Sequence, residues 1–243
     1  MSRQLMVAVL AALVIPSLAA ADHNPMHHWM KFTVTVENVS TAGSLQLSTG
    51  GTAPAPTSPV IFLTHTSNAP LFKAGTADRG KGLEHLAEDG NPSMLVQNSR
   101  GVKGISTVDA VAIPVGDDKA GPALPGKKFV FTFTANPGEK LTAAMMFGQS
   151  NDWFYAPSEK GIELWTKQGE AVAGDITSQF LLWNAGTEVD EEPGVGANQG
   201  PRQKAPNSGP AENGKVGLAK GYAVPAVNQV IKVTIAPEAM AAK

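Results

Sequence analysis

The 243-residue chain contains no cysteine. It therefore forms no disulfide, and thiolate zinc sites, iron–sulfur clusters and cysteine nucleophiles are excluded. Charged residues are also scarce, at 16% of the sequence, and 19 basic residues against 21 acidic ones give a formal net charge of −2. Without a basic excess the chain lacks the electrostatic attraction that binds nucleic acid or anionic lipid, so we expect no nucleic-acid partner.

The familiar catalytic signatures are missing as well. The sequence has no Gly-x-Ser-x-Gly elbow, no His-Glu-x-x-His, no Walker loop and no EF-hand spacing. The glycine-rich run at residues 194–200 is one residue too long for the dinucleotide fingerprint, and it follows an acidic segment rather than a strand. We therefore expect a protein that is not an enzyme.

The one long apolar run lies at the N-terminus. Arg3 is the only charged residue before Asp22, and the apolar residues 5–15 are followed by a proline and several small residues. This pattern predicts a signal peptide over residues 1–21, with a mature chain that begins near Ala20 or Asp22. Because the run is shorter than the roughly 20 residues of a membrane-spanning helix, we expect an exported protein, periplasmic or extracellular, with no transmembrane segment after cleavage.

What the chain does contain is a series of short β-strand patterns. Residues 32–37, 129–134 and 230–235 alternate apolar and polar side chains with the period of a half-buried strand. Shorter apolar or β-branched runs, separated by Gly, Pro, Asn and Asp, lie at residues 60–64, 105–113, 141–147, 162–165 and 180–183. These eight or so strands predict an all-β sandwich in a single domain over residues 22–243.

One segment interrupts the strands with a helical pattern. Leu83, Leu86 and Ala87 fall on one helical face, and Gly90 is suited to end the helix. Pro92 then suits the start of a second helical turn. The sequence therefore predicts a short helical insert between strands.

A second segment has almost no apolar residues. Residues 193–221 contain seven Gly and four Pro, and they contribute little to a core. Loops of this length in compact domains are either disordered connections or are ordered by a ligand or an ion, and both alternatives remain open for this one.

The most distinctive polar segment is the acidic run at residues 184–194. Four carboxylates fall within five positions, and no Lys or Arg lies between Lys167 and Arg202. A cation would relieve the repulsion among these groups. Oxygen ligands without a neighbouring imidazole or thiolate favour Ca²⁺. The alternative is an acidic loop that only faces water.

A lone acid follows the predicted strand at residues 141–147. Asp152 stands directly before three aromatic residues, of which Trp153 and Phe154 are typical of core positions. An aspartate in a turn normally hydrogen-bonds its own backbone, and this is the simplest interpretation of Asp152 taken alone.

Five blocks of the sequence resemble a known family when they are taken in order. The blocks lie at residues 59–66, 71–75, 82–90, 150–154 and 183–188. Together they resemble the spondin N-type domain, particularly its bacterial exported members, over about residues 32–235. The resemblance implies an antiparallel, C2-like β-sandwich of the kind found in secreted matrix and adhesion proteins, with a Ca²⁺ site in the loops at one end.

The resemblance also implies which residues hold the ion. The family places an acid before the aromatic of one block and two acids around an Ala-Gly-Thr in the other, which corresponds to Asp152, Asn184 and Glu188. Asn184 departs from the pattern, since it keeps a carbonyl oxygen but removes a charge, and Asp190 or Glu191 is placed to make up the deficit. The implied metal ligands are therefore Asp152, Asn184, Glu188 and Asp190, and the implied cofactor is Ca²⁺.

These observations lead to one expected function and two alternatives. We expect an exported, non-enzymatic binding or adhesion module whose end loops hold Ca²⁺ and present a surface to another macromolecule or a glycan. The first alternative is a metal-assisted hydrolase that uses the same acidic cluster. The second is metal handling by His23, His27 and His28, with Met26 nearby, because imidazole and thioether ligands suit copper.

Overall fold

The computed structural model describes residues 29–68 and 70–238. The predicted signal peptide and the N-terminal histidines lie outside the described residues. Within the described part of the chain, no helix is both long enough and apolar enough to span a bilayer.

The chain folds mainly into antiparallel β-strands. In chain order the strands are β1 (Met30–Asn38), β2 (Leu45–Gln46), β3 (Thr52–Ala53), β4 (Val60–His65), β5 (Ile105–Val111), β6 (Lys128–Ala135), β7 (Lys140–Met146), β8 (Trp153–Pro157), β9 (Ile162–Glu163), β10 (Gly174–Asp175), β11 (Phe180–Asn184), β12 (Gly217–Leu218) and β13 (Ile231–Glu238). The helices are α1 (Leu83–Asp89), α2 (Ser93–Ser99) and α3 (Val227–Val230), with a 3₁₀ turn at Thr177–Gln179.

The smaller main sheet contains four strands in the order β10-β13-β1-β6. The sequence pattern of β1 explains its place, because Phe32, Val34 and Val36 are buried while the residues between them are partly exposed. Val34 stands opposite Phe131 of β6 and Ile235 of β13, so the apolar residues of all three strands share one face. That face forms one side of the core.

The larger sheet has the order β12-β11-β8-β7-β4-β5, and β9 pairs with β7. Its central strands β4 and β8 are buried along their whole length. Alternate residues of β4 enter two different cores, since Phe62 faces the smaller sheet while Ile61 and Leu63 face the helices. A strand that is covered on both faces carries apolar residues without alternation, which explains the run of apolar residues in β4.

Two apolar layers therefore hold the fold together. Between the sheets, Phe62 stacks on Phe131 with ring centroids 4.2 Å apart. On the outer face of the larger sheet, Phe72 meets Phe154 edge to face at 5.2 Å, beside the buried leucines of α1 and α2. The second layer anchors the helical insert near the first residues of β8.

The prediction of an all-β sandwich is confirmed. The predicted helical insert is present as α1 and α2, and Gly90 ends α1 in a left-handed conformation (φ 66°) with its N–H on the carbonyl oxygens of His85 and Leu86. The C2-like connection of the strands and the single-domain boundaries stay predictions.

The segment at residues 193–221 contains one short strand, β12, but it hydrogen-bonds to distant parts of the chain. The Gly194 N–H donates to the Gln149 carbonyl at 2.8 Å, and the Val216 N–H donates to the Thr76 carbonyl at 2.9 Å. Both contacts lie at the end of the sandwich where the acidic residues are found.

Candidate functional site

Strand pairing brings the two polar segments of the sequence together. β7 pairs with β8 at Met146 and Phe154, which places the connection at residues 147–152 at one end of the larger sheet. β8 pairs in turn with β11, so that Trp153 stands opposite Asn184. As a result, the residues that follow β11 lie against those that precede β8.

Asp152 is fully buried at this junction. Its Oδ2 accepts hydrogen bonds from the backbone N–H of Thr187 at 2.8 Å and of Glu188 at 3.2 Å. It therefore holds the loop after β11 rather than its own turn. Its Oδ1 is also buried, and it has no hydrogen-bond partner among the described residues. Burial raises the pKa of Asp152 to about 6, although the two backbone hydrogen bonds oppose this rise.

Asn184 and Asp190 form a separate pair. The Asn184 amide nitrogen donates to both carboxylate oxygens of Asp190, at 3.1 and 3.0 Å, and the Trp153 indole N–H donates to Oδ1 at 2.6 Å. The Asn184 Oδ1 accepts the N–H of Gly186. Burial raises the pKa of Asp190, while the bonds from Trp153 and Asn184 counteract it. Neutral donors thus already satisfy this carboxylate.

Glu188 is buried and is likewise held by neutral groups. Its Oε2 accepts from the Asn151 amide at 3.1 Å, and the Gly209 backbone also hydrogen-bonds to it. A Cβ at Gly209 would lie 1.4 Å from Glu188 Oε1, so this close approach requires glycine. Burial is the main cause that raises the pKa of Glu188, and the charge of Glu191 adds to it.

Glu88 at the end of α1 is a member of the site that the sequence reasoning missed. It is 2% exposed, and its Oε2 is buried without a hydrogen-bond partner in the described part of the chain. Burial raises its pKa to about 7, the charges of Glu188, Glu84 and Asp152 raise it further, and a hydrogen bond from the Thr187 side chain lowers it. The only sequence signal was an acid next to the apolar face of a short helix, inside one of the resembling blocks.

Thr187 links the two carboxyls that have unpartnered oxygens. Its hydroxyl lies 3.3 Å from Asp152 Oδ2, and it also hydrogen-bonds Glu88. None of the ion pairs formed among residues 29–68 and 70–238 includes Glu88, Asp152 or Glu188. The charges of Asp152 and Glu188 therefore act on Glu88, and none of the three carboxyls has a cationic side chain in an ion pair within the described residues.

The structure divides the four predicted ligands. The charges of Asp152 and Glu188 raise the pKa of Glu88, whereas Asn184 hydrogen-bonds Asp190 beside Trp153. Asp190 is still close enough for its charge to raise the pKa of Asp152. In the described residues, no set of three or more His, Asp or Glu side chains is arranged to hold a metal ion. A cation here would therefore need further oxygens from backbone, hydroxyl groups or water, which is common for Ca²⁺ and Mg²⁺.

No protein-family model matches this chain, and no curated protein is significantly similar to it. The resemblance to the spondin N-type domain therefore stays a prediction.

Proposed function

We propose that this chain is an exported, non-enzymatic binding module in which Ca²⁺ binds between Asp152 and Glu88. Glu188 and the Thr187 hydroxyl lie beside the ion. Asn184, which the family resemblance implies as a ligand, and Asp190, which the sequence offers to make up its missing charge, instead hydrogen-bond each other beside Trp153. The bound ion orders the end loops, and these present a surface to another macromolecule or a glycan.

One observation carries the proposal. Asp152 Oδ1 and Glu88 Oε2 are buried carboxylate oxygens without a hydrogen-bond partner among the described residues. A buried, unpartnered carboxylate oxygen is costly, and a second carboxylate nearby adds repulsion to the cost of desolvation. A divalent cation removes both costs, so part of its binding free energy becomes loop stability.

The donor atoms favour Ca²⁺ over softer metals. The groups around the two free oxygens are carboxyl and hydroxyl oxygens, and no imidazole nitrogen is among those that contact them. Oxygen-only sites suit Ca²⁺, whose flexible coordination accepts backbone carbonyls and water.

The hydrolase alternative receives no support from the cavity beside the cluster. Asp89 is the only ionisable side chain among the residues that line it, and the lining consists mostly of proline, alanine and glycine. A hydrolase needs convergent polar groups at its pocket. The histidines of the other alternative lie outside the described residues, so that alternative stays a prediction.

Calorimetric titration of Ca²⁺ into the purified protein, after removal of metal with EDTA, tests the proposal. We expect saturable binding of one ion, and we expect Asp152→Asn and Glu88→Gln each to weaken it at least about tenfold, because each removes a charged ligand. Glu170→Gln, which neutralises an exposed carboxyl away from the cluster, is the matched control and should bind as the wild type does. Unchanged affinity in both cluster variants would refute the assignment.

A further inference from the structure

The same end of the sandwich contains a cavity of about 790 Å³. Five stretches of chain form it: the approach to β4, the link between α1 and α2, the end of β5 with the loop that follows it, the end of β7, and the loop at residues 200–203. A volume of this size lies within the range of ligand pockets. The cavity adjoins the carboxylate cluster, since Asp89 lines it and the next residue toward the N-terminus is Glu88, whose backbone oxygen lies close to the lining residue Gly200.

The lining selects against acidic ligands. Six prolines take part, and neither Lys, Arg nor any aromatic residue is among the lining residues; the prolines are Pro54, Pro56, Pro59, Pro92, Pro122 and Pro201. Asp89 supplies the only charge of the lining; its Oδ1 accepts from Gln203 and from the Asn207 N–H, and its Oδ2 lies 3.7 Å from His85 Nδ1. An anion would enter a negative field without a partner, whereas an uncharged or basic group would not.

A few polar groups of the lining are available for hydrogen bonds. The Asn91 Oδ1 accepts the Ser93 N–H, and the Gln203 Nε2 donates to Asp89. The Asn91 amide nitrogen and the Gln203 carbonyl oxygen have no partner in the described part of the chain. Thr57 also lines the cavity, but its hydroxyl is buried away from the open space. Amide groups such as those of Asn91 and Gln203 match the alternating donors and acceptors of a peptide backbone.

The apolar surface continues beyond the rim. Leu124, which lines the cavity, is 50% exposed, and Met94 and Ile113, which directly follow lining residues, are 38% and 48% exposed. Ala110 lies in β5, the last strand of the larger sheet, and Ala112 directly follows that strand. An apolar surface that extends out of a pocket along a sheet edge fits an extended chain better than a compact small molecule.

We propose that this cavity binds an extended apolar peptide segment of a partner protein, one that carries no acidic residue and gains affinity from a Lys or Arg beside Asp89. Prolines and short side chains keep the cavity rigid and wide enough for apolar side chains, while Asn91 and Gln203 bind the peptide backbone. This inference rests on the proposed function in one point: it takes the protein to be a binding module and names the class of its partner.

Fluorescence anisotropy with three labelled heptapeptides tests the inference. The peptides share one apolar centre and differ at both ends, with the sequences KVLVPLK, QVLVPLQ and EVLVPLE. The Gly121→Phe variant adds a large side chain at the cavity lining, where a Cβ meets no atom within 4 Å. Ala236→Phe, at an exposed position of β13 outside the lining, is the matched control.

We expect the lysine peptide to bind most tightly, the glutamine peptide next, and the glutamate peptide at least about tenfold more weakly than the lysine peptide. Gly121→Phe should weaken the lysine peptide at least about tenfold, and Ala236→Phe should leave its binding within about twofold. Each peptide titration is made in EDTA and in Ca²⁺. If the protein binds the peptide in both but does not bind Ca²⁺, the proposed ion is wrong and the peptide inference stands.

Any of four results would overturn the inference, the second and third of which concern the pattern of peptide binding. The first is no saturable binding of the lysine and glutamine peptides. The second is equal binding of all three peptides, and the third is binding that Gly121→Phe does not change. The fourth is a concentration-dependent dimer in sedimentation that Gly121→Phe dissociates, which would make a second copy of the chain the occupant of the cavity.

Discussion

Asp190 and Asp152 lie within one loop cluster, yet their surroundings differ. Burial raises the pKa of both carboxyls. Asp190 accepts hydrogen bonds from Trp153 and Asn184 on its two oxygens. Asp152 accepts backbone N–H groups of the loop after β11 on Oδ2, whereas its Oδ1 has no partner among the described residues. Burial of an acid therefore does not by itself indicate a cation site, and the unsatisfied oxygen makes the difference.

The largest effect is expected from Asp152→Ala. This change removes the acceptor of the Thr187 and Glu188 N–H groups and leaves both buried, so we expect the unfolding free energy in EDTA to fall by about 3 kcal/mol. Urea denaturation measures it. Asp152→Asn keeps an oxygen for these donors and should lose much less stability while it loses Ca²⁺ binding. Equal destabilisation by the two changes would contradict this account of Oδ2.

The next effect is a pH dependence that the cation should suppress. The folded-state pKa of Glu88 is raised to about 7 and that of Asp152 to about 6, so the folded state binds more protons than the unfolded state between about pH 4 and 7. Stability in EDTA is then highest near the lower end of this range and falls as the pH rises through the folded pKa values, by more than about 1 kcal/mol between pH 5 and 8. Urea denaturation at several pH values measures the slope.

Two comparisons sharpen that prediction. Saturating Ca²⁺ should flatten the decline, because the ion replaces the protons. Glu88→Gln should reduce the decline in EDTA, because it removes the carboxyl with the higher pKa of the two. If the stability in EDTA instead rises with pH over this range, the pKa values of Glu88 and Asp152 are not raised in the folded state and the prediction is wrong.

A smaller effect is expected on the side of Asp190. Trp153→Phe keeps most of the buried ring but removes the indole N–H from Asp190 Oδ1, so the unfolding free energy should fall by about 1–2 kcal/mol. Thermal and urea unfolding check this value. The Ca²⁺ affinity of the folded variant should stay within about twofold of the wild type, and a larger loss would mean that the two halves of the cluster act as one site.

The smallest effect is expected from Asp190→Asn. The substituted side chain keeps an oxygen for Trp153, and in this account Asp190 is not a ligand, so calorimetry should give a Ca²⁺ affinity within about twofold of the wild type. A loss comparable to that of Asp152→Asn would restore Asp190 as a ligand, in place of the charge that Asn184 lacks.

The sandwich and its helical insert could be predicted from sequence because their signals are local. The alternation in β1 and β6 shows which face each strand buries, and the Leu83, Leu86 and Gly90 spacing indicates a short helix that ends at the glycine. Both patterns depend on neighbours a few residues apart.

The candidate site could be predicted only in part, because it depends on distant contacts. The acidic run and Asp152 were recognisable, and the family resemblance proposed their association. The participation of Glu88 follows from the packing of α1 on the larger sheet. The amide of Asn184 bonds to Asp190 because the loop turns back toward Trp153. Neither arrangement leaves a periodic signal in the sequence.

Thermal unfolding of the purified protein at pH 7, in EDTA and then with Ca²⁺ or Mg²⁺, tests the central claim most directly, since an ion that binds only the folded state raises its melting temperature. The account predicts a clear upward shift with Ca²⁺, a smaller one with Mg²⁺, and no Ca²⁺ shift in Asp152→Asn. An unchanged melting temperature with every ion, or an equal Ca²⁺ shift in Asp152→Asn, would contradict it.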